Sequence, residues 1–380
     1  MDGSAPGAEF CPRPGHPGSW VAVRRARRLA RSVQIERFDP ATDTGAVRAC
    51  HEIHLAEWRA DGVRRAPLSP RMFRTMLRCG WTGDPQESWL ARGSAGEICG
   101  WYLLGFPERE NRHRAGITLV VAPSRRRAGL GTALLGHAAD RARQAGRTLL
   151  TSHSHEATAG AAFARTLGAR QRFTGVFWAL RPHSLPAGRL AALRERAASV
   201  AAGYSLVSWE GPVADDRLAE VAALFGVEED APFPEGEDPP GWDAARVRAS
   251  DERAAEQGLR FYTVAARADR TGRLVAITQL GVDPLDAGSA FQELTVVARP
   301  HRGHRLGLLV KVAMLELLAA HEPQLTQIVT LTAENNEHMI AINTALGFEF
   351  LERWLSWELE TARAPGGADL AAPGATAAQS

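Results

Sequence analysis

The feature that most constrains this 380-residue chain is a segment it spells twice. The first copy reads Ile117-Thr-Leu-Val-Val121-Ala-Pro-Ser-Arg-Arg126-Arg-Ala-Gly129-Leu-Gly131, and the second reads Glu293-Leu-Thr-Val-Val297-Ala-Arg-Pro-His-Arg302-Gly-His-Arg305-Leu-Gly307. They stand 176 residues apart. Downstream, Thr166-Leu-Gly168 answers to Ala345-Leu-Gly347 and Trp178 to Trp357, now 179 residues apart, as a short loop insertion after a helix would give. A repeat of this period means one supersecondary unit built twice.

The pattern within each copy predicts the unit. Apolar runs at 89–91, 98–104 and 117–121 read as strands, the last ending before Pro123. Residues 131–144 have helical spacing, 149–152 read as a strand, and 157–167 as a helix stopped by Gly168. In the second half, strands are expected at 261–266, 274–282, 293–298 and 328–332. Helices are expected at 242–257, 306–320 and 336–346. The expected organisation is a leader at 1–32, a first domain at 33–182, a linker at 183–202, a second domain at 203–360 and a tail at 361–380. The leader and tail read as disordered from their Pro, Gly and Ala content.

Composition excludes several classes. No run of 18 uncharged apolar residues is present, so no membrane span is expected. Cys11, Cys50, Cys79 and Cys99 form no CxxC pair, which argues against a zinc ribbon or disulfide scaffold and fits a reducing, cytoplasmic setting. The formal charge of +2 comes from six arginines in residues 1–33; residues 34–380 sum to −2. Such a body has no footprint for duplex nucleic acid. Of 45 basic residues only Lys311 is a lysine, a bias that reads as a GC-rich genome.

A strand that ends in Arg-x-x-Gly-x-Gly and opens a helix gathers backbone N–H groups around an anion, and glycine lets a phosphate approach closely. Arg126, Gly129 and Gly131 satisfy this; the spacing is neither Gly-x-Gly-x-x-Gly nor a Walker loop. In its twofold context the segment resembles motif A of the GCN5-related N-acetyltransferases (GNAT), an actinobacterial-type tandem arrangement. Val121-Ala-Pro123 supports this, as do Val297, the 301–307 loop and Asn336-Glu-His-Met-Ile-Ala-Ile-Asn343-Thr-Ala-Leu-Gly347-Phe348. The resemblance implies an α/β chain of α+β type. It would hold two tandem domains, each a mixed, splayed, mostly antiparallel sheet flanked by helices.

The resemblance also implies acetyl-CoA as acyl donor, without a metal. The pyrophosphate would be held in the second half by Thr295, Val296, Val297, Arg302, Gly303, His304, Arg305, Leu306, Gly307 and Leu308. Asn336 and Asn343 would contribute from the last helix. The first-half counterparts are Val121, Arg126, Arg127, Ala128, Gly129, Leu130, Gly131 and Thr132. Arg305 stands where the family has a glycine, so the loop is expected to survive only if that residue is right-handed, with its side chain near a phosphate or in solvent.

The backbone N–H of Val297 is the candidate oxyanion donor. Glu293 is the candidate general base, since strand alternation would put it on one face with Thr295 and Val297. The first half has Ile117 there and Ala157 in place of Asn336. Neither half has the family's thiolate-protonating tyrosine; Ala164 and Asn343 stand at that position, and Tyr102, Tyr204 and Tyr262 are not placed to substitute. The second half is therefore expected to be catalytic and the first degenerate.

The remaining features are weaker. Lys311 would reach a phosphate or lie on a solvated helix face. His301 and His304 would flank the loop, in solvent or touching phosphate. His153, His155 and Glu156 resemble a metal cluster without a further ligand pair. The acidic 228–238 run would be a solvated loop or attract a cationic amine. The leading expectation is direct N-acetyl transfer to a small primary amine by a monomer or homodimer, without nucleic-acid or membrane partners. A mycothiol-synthase-like or aminoacyl-transferring tandem enzyme and a non-catalytic acyl-CoA-binding protein remain alternatives.

Overall fold

The computed structural model describes residues 33–80, 83–227, 236–286 and 288–365. The expected leader, the tail from 366 onward and most of the acidic run lie outside the described residues. The first half runs β1 (Gln34–Arg37), α1 (Thr44–Ala60), α2 (Pro70–Cys79), β2 (Gln86–Arg92), β3 (Ile98–Gly105), β4 (Arg114–Val121), α3 (Leu130–Gln144), β5 (Leu149–His155), α4 (Ala159–Thr166) and β6 (Arg170–Leu180). The connecting helix α5 spans Arg189–Ala198. The second half runs β7 (Tyr204–Glu210), α6 (Leu218–Phe225), α7 (Ala244–Gln257), β8 (Arg260–Ala268), β9 (Leu274–Val282), β10 (Ser289–Val297), α8 (Leu306–His321), β11 (Gln327–Ala333), α9 (Glu337–Leu346) and β12 (Glu349–Glu360).

Local chemistry sets several boundaries. Asp43 accepts from the Ala46 N–H to start α1, Asp243 from Arg246 to start α7, and Asn336 from Met339 to start α9. Ser69 caps α2 with Pro70 in its first turn. β9 is buried at every position, which is why it reads as a mostly apolar run through Val282, interrupted by Thr278 and Gln279.

The twelve strands form one sheet in the order β1-β2-β3-β4-β5-β12-β6-β11-β10-β9-β8-β7. Exchanging each strand for its counterpart in the other half reverses this order, so the halves are related by a pseudo-twofold between β12 and β6. The two halves do not end as separate sheets. Trp354–Glu360 of β12 pair antiparallel with β5 of the first half, and β12 also pairs with β6; β6 in turn pairs with β11 of the second half. Among the described strands only β4–β5 and β10–β11 are parallel.

Helices cover both faces. On one, α3 packs over Tyr102, Leu104, Ala115 and Ile117, while α8 and α5 pack over Tyr262, Val264, Ala276 and Leu280. On the other, α1 and α2 cover Leu90, Trp101 and Val120, and α6 and α7 cover Ala265, Ile277 and Val296. The segment expected as a plain linker is α5, whose Arg189 donates to the Ala345 carbonyl at 2.8 Å. Across the halves, Arg71 of α2 donates to the Ala255 and Glu256 carbonyls of α7.

The exchange makes a prediction. Expressed alone, residues 33–188 would leave β5 and β6 without β12 between them, exposing unpaired strand edges. Each half alone is expected to be insoluble or aggregated, and coexpressed halves to elute together with native circular dichroism. A soluble, folded, monomeric half on size-exclusion chromatography would refute this.

Candidate functional site

The site opens where two parallel strands part. β10 pairs with β11 only from Ser289 to Gln292, opposite Gln327 to Thr330. Beyond that, β10 stays with β9 as far as Val297, while β11 stays with β6 as far as Ala333. The divergence leaves a cleft of about 1040 Å³. β4 and β5 part in the same way after Gly116 and Thr151.

The two splayed strands differ in one respect. Gln292 lies opposite Leu280 and Thr295 opposite Thr278, so two residues of β10 face the single Gln279 of β9. This is a β-bulge, which twists the strand and re-aims its groups. The register of β4 on β3 runs from Gly100–Val121 to Gly105–Gly116 without such a shift.

The bulge corrects the alternation expected for Glu293. Gln292 and Thr295 share a face; both reach Thr278 Oγ1, at 2.8 and 2.7 Å. Glu293 is therefore out of phase with Thr295 and Val297. It is exposed and lines the cleft from the opposite side of the strand.

The loop after each strand needs two left-handed residues. In the first half these are Arg127 (φ 62°) and Gly129 (φ 90°); in the second, Gly303 (φ 85°) and Arg305 (φ 53°). Each half gives one position to glycine and the other to arginine, in opposite order. The right-handed expectation for Arg305 is thus wrong, because the turn into α8 demands the conformation that Gly129 holds before α3. Arg305 also does not point freely into solvent: Nη1 donates to the Arg196 carbonyl of α5 at 3.0 Å. Neither α3 nor α8 receives a side-chain cap, so their first-turn N–H groups remain available.

Both loops are braced alike. Arg126 Nε donates to the Val121 carbonyl at 3.4 Å, and Arg302 Nε to the Val297 carbonyl at 3.2 Å. The rest of the first-half guanidinium is engaged by α1 and its cap: Nη1 lies 2.6 Å from Asp61 and Nη2 3.6 Å from Glu57. Burial, with Asp61 nearby, raises Glu57 to about 7 despite Arg126. Gly307 serves packing, since a Cβ there would sit 3.3 Å from Ile342 Cδ1 and 3.7 Å from Val297 Cγ2.

The structure brings Thr295, Val296, Val297, Arg302, Gly303, Arg305, Leu306, Gly307, Leu308 and Asn336 to the walls of the cleft. Two expected contributors stand elsewhere. His304 places Nδ1 3.3 Å from the Val200 carbonyl and its ring against Tyr204, so it faces the α5 side of the loop. Asn343 is fully buried behind the wall. His301 lines the cleft with Nδ1 held 2.9 Å from Tyr204 Oη. Val121 and residues 126–132 gather at the start of α3, apart from this cleft.

Lys311 departs most from expectation. It is neither solvated nor at the phosphate loop: it is only 2% exposed. Nζ donates to Asn343 Oδ1 at 2.7 Å and lies 5.1 Å from the centre of the Phe348 ring. Asn343 Nδ2 in turn donates to Thr332 Oγ1 on β11 at 3.2 Å. Burial alone lowers the amine to about 7. The corresponding first-half positions hold Leu135, Ala164 and His153, which carry no such chain.

Sequence reasoning missed the first half's share of this cleft. His153 of β5 pairs with Ser356 of β12, which pairs with Phe173 of β6, and all three line the cleft. No local signal could have found them, because strand exchange alone brings them there. His153 stacks on Trp354, and desolvation holds its imidazole below the ordinary range. His155 lies 3.3 Å from Glu352 and packs on Trp354 and Phe177. Among the described residues no group of three or more His, Cys, Asp or Glu could hold a metal, and no helix is long and apolar enough to cross a membrane.

Comparisons with known proteins agree with this architecture. The family model described as acetyltransferase (GNAT) family matches residues 47–169. A comparison with curated proteins finds no match. Among solved structures, a tandem GNAT protein from the clavulanic acid biosynthesis pathway, solved without AcCoA, is 30% identical with a TM-score of 0.72; the match covers 87% of this chain and 98% of that one. A GCN5-related N-acetyltransferase from Sphaerobacter thermophilus shares the fold at 16% identity and a TM-score of 0.60, covering 88% and 96%. With two interleaved copies of the splayed sheet and its loop, the chain belongs to the GNAT acetyltransferase family as a tandem member.

Proposed function

We propose that the second half is an acetyl-CoA-dependent N-acetyltransferase that acts on a small primary amine. The observation that carries this reading is the cleft itself: β10 leaves β11 at a bulge, and the uncapped N-terminus of α8 stands at one end. N–H groups of residues 305–308 would hold the pyrophosphate, with Arg196 and Arg302 beside it. The diverging edge of β10 leaves Val297 to orient the thioester and offer an oxyanion donor. Glu293 lines the cleft on the other side of the strand, where an acceptor amine can enter without crossing the donor. Glu237, His153 and Phe173 border that side, an acidic and aromatic lining suited to an amine with an apolar body.

The family model matches the first half, so the assignment to the second rests on the residues. The first half has Ile117 for Glu293 and an unbulged β4. Transfer would be direct. The amine loses a proton to Glu293, attacks the thioester carbon, and the tetrahedral oxyanion collapses with loss of the thiol.

Two predictions test this. Gly307→Val puts a branched side chain against Ile342 and Val297 where the phosphate must approach. Calorimetric affinity for acetyl-CoA is expected to fall at least tenfold, ~1.4 kcal/mol, while circular dichroism stays native. Unchanged affinity in a folded variant would place the donor elsewhere, and a stoichiometry of two in the wild type would add the first-half loop as a second site. Glu293→Gln should leave acetyl-CoA affinity intact and lower turnover with an amine panel by about 10²–10⁴-fold. Its pH–rate profile should lose its acidic limb, because an amide cannot take the proton. Wild-type turnover with an unaltered profile would remove the base role.

A further inference from the structure

We propose that Lys311 is the acid that protonates the sulfur leaving in the acyl transfer, an inference that rests on the acyl-donor reading of this cleft. Lys311 is the sole lysine of the chain; the other 44 basic residues are arginine. It lies under the cleft wall, one turn into α8, and also lines the cleft. It occupies an otherwise apolar stretch in which Leu308, Leu309, Val310, Val312 and Met314 are all buried. Arginine could not do this work, because its guanidinium does not release a proton in a protein, whereas a buried amine readily exchanges one.

The surroundings favour a proton donor over a fixed charge. Facing the ammonium are Asn343 from α9, the Phe348 ring, and Thr332 of β11 through Asn343. Asn343 Oδ1 accepts one N–H and fixes the amine's direction, while Lys311 itself is among the residues that line the cleft. No charged side chain contributes to the shift of Lys311, and burial accounts for it. The titratable and charged groups of the cleft, Glu237, Glu293, His153, His301, His338, Arg196, Arg302 and Arg305, belong to other segments of its wall.

The step balances. The ammonium of the acceptor gives up two protons in becoming an amide. As the C–S bond breaks, its electron pair goes to sulfur, and the Nζ–H proton of Lys311 follows to give the thiol and a neutral amine. One proton from the acceptor recharges Lys311, and the other leaves to solvent. A group near neutrality suits both halves of this cycle.

Being the sole lysine makes the proposal directly readable. Full-length protein labelled with ¹³Cε-lysine should give one side-chain resonance, titrating with a midpoint of about 7. Coenzyme A should raise that midpoint, because a thiolate beside the amine favours the ammonium; desulfo-coenzyme A, lacking sulfur, should not. Lys311→Met keeps the stem's shape. It should bind acetyl-CoA as the wild type does, lose about 10²–10⁴-fold in turnover, and lose the alkaline limb of the pH–rate profile.

Stability provides the folding control. The native amine titrates at about 7 and the ordinary lysine value is 10.5. Below pH 7 both states are charged and the burial penalty is complete; above 10.5 both are neutral and it is gone. Wild-type stability should therefore rise between these values through this group, and the Met variant should lack that rise. A midpoint above 9, an equal shift with desulfo-coenzyme A, or a Met variant that keeps turnover and its alkaline limb would overturn the role of Lys311. Failure of coenzyme A to bind at all would instead remove the acyl-donor reading on which it rests.

Discussion

Everything at the centre of this molecule depends on β12 lying between β5 and β6. That one placement turns two sheets into one and makes each half supply a wall of the other. The seam is packed accordingly. The Arg65 guanidinium sits 4.7 Å from the ring centres of both Trp58 and Phe177 and 5.7 Å from Trp354, with Glu352 at 3.7 Å. Burial lowers Arg65 to about 10 and raises the Glu352 carboxyl, so both charges are held at a cost that only close packing and their mutual attraction offset. The same exchange brings His153 and Phe173 to the second-half cleft.

The loops obey a backbone requirement rather than a sequence consensus. Each needs positive φ at two places, and a non-glycine residue held there costs roughly 1–3 kcal/mol. The chain meets this cost at Arg127 in one half and at Arg305 in the other. At Arg305 the strain is coupled to an anchor, since the side chain holds the carbonyl end of α5. The first-half Arg126 is held by Asp61 and Glu57. Arg196, Arg302 and Arg305 line the second-half cleft beside the α8 N-terminus.

Local pattern carried much of the fold. β9 was legible because burial on both faces leaves a mostly apolar run, and α9 because an asparagine opens it and Gly347 closes it. The amphipathic α1 and α2 escaped notice, since His and Glu among the apolar residues of α1 and three arginines in the ten residues of α2 blur the apolar spacing. Strand exchange was illegible for a deeper reason: β6 and β12 have the same local chemistry whether they pair within a half or across it. The loops of the candidate site were legible from Arg-x-x-Gly-x-Gly, but five side chains were misread, His304 and Lys311 among them. Glu293 depended on a bulge that shifts parity, Arg305 on a turn conformation, and Asn343 on the amine behind it.

The contrast between halves also separates architecture from chemistry. Both keep the splay, the braced arginine and the turn, because sheet pairing and backbone geometry enforce them. The polar interior is present once. Lys311, Asn343 and Thr332 replace Leu135, Ala164 and His153, and the strand beside them bulges. A buried amine is an expense that a purely structural α8 would avoid, since leucine serves at the same place in α3. The surrounding apolar faces of α8 absorb that expense. The half that carries it is also the half in which Glu293 and the arginines meet one cleft. Fold stability is thus shared across the seam, whereas the chain from Lys311 through Asn343 to Thr332 lies on one side of it.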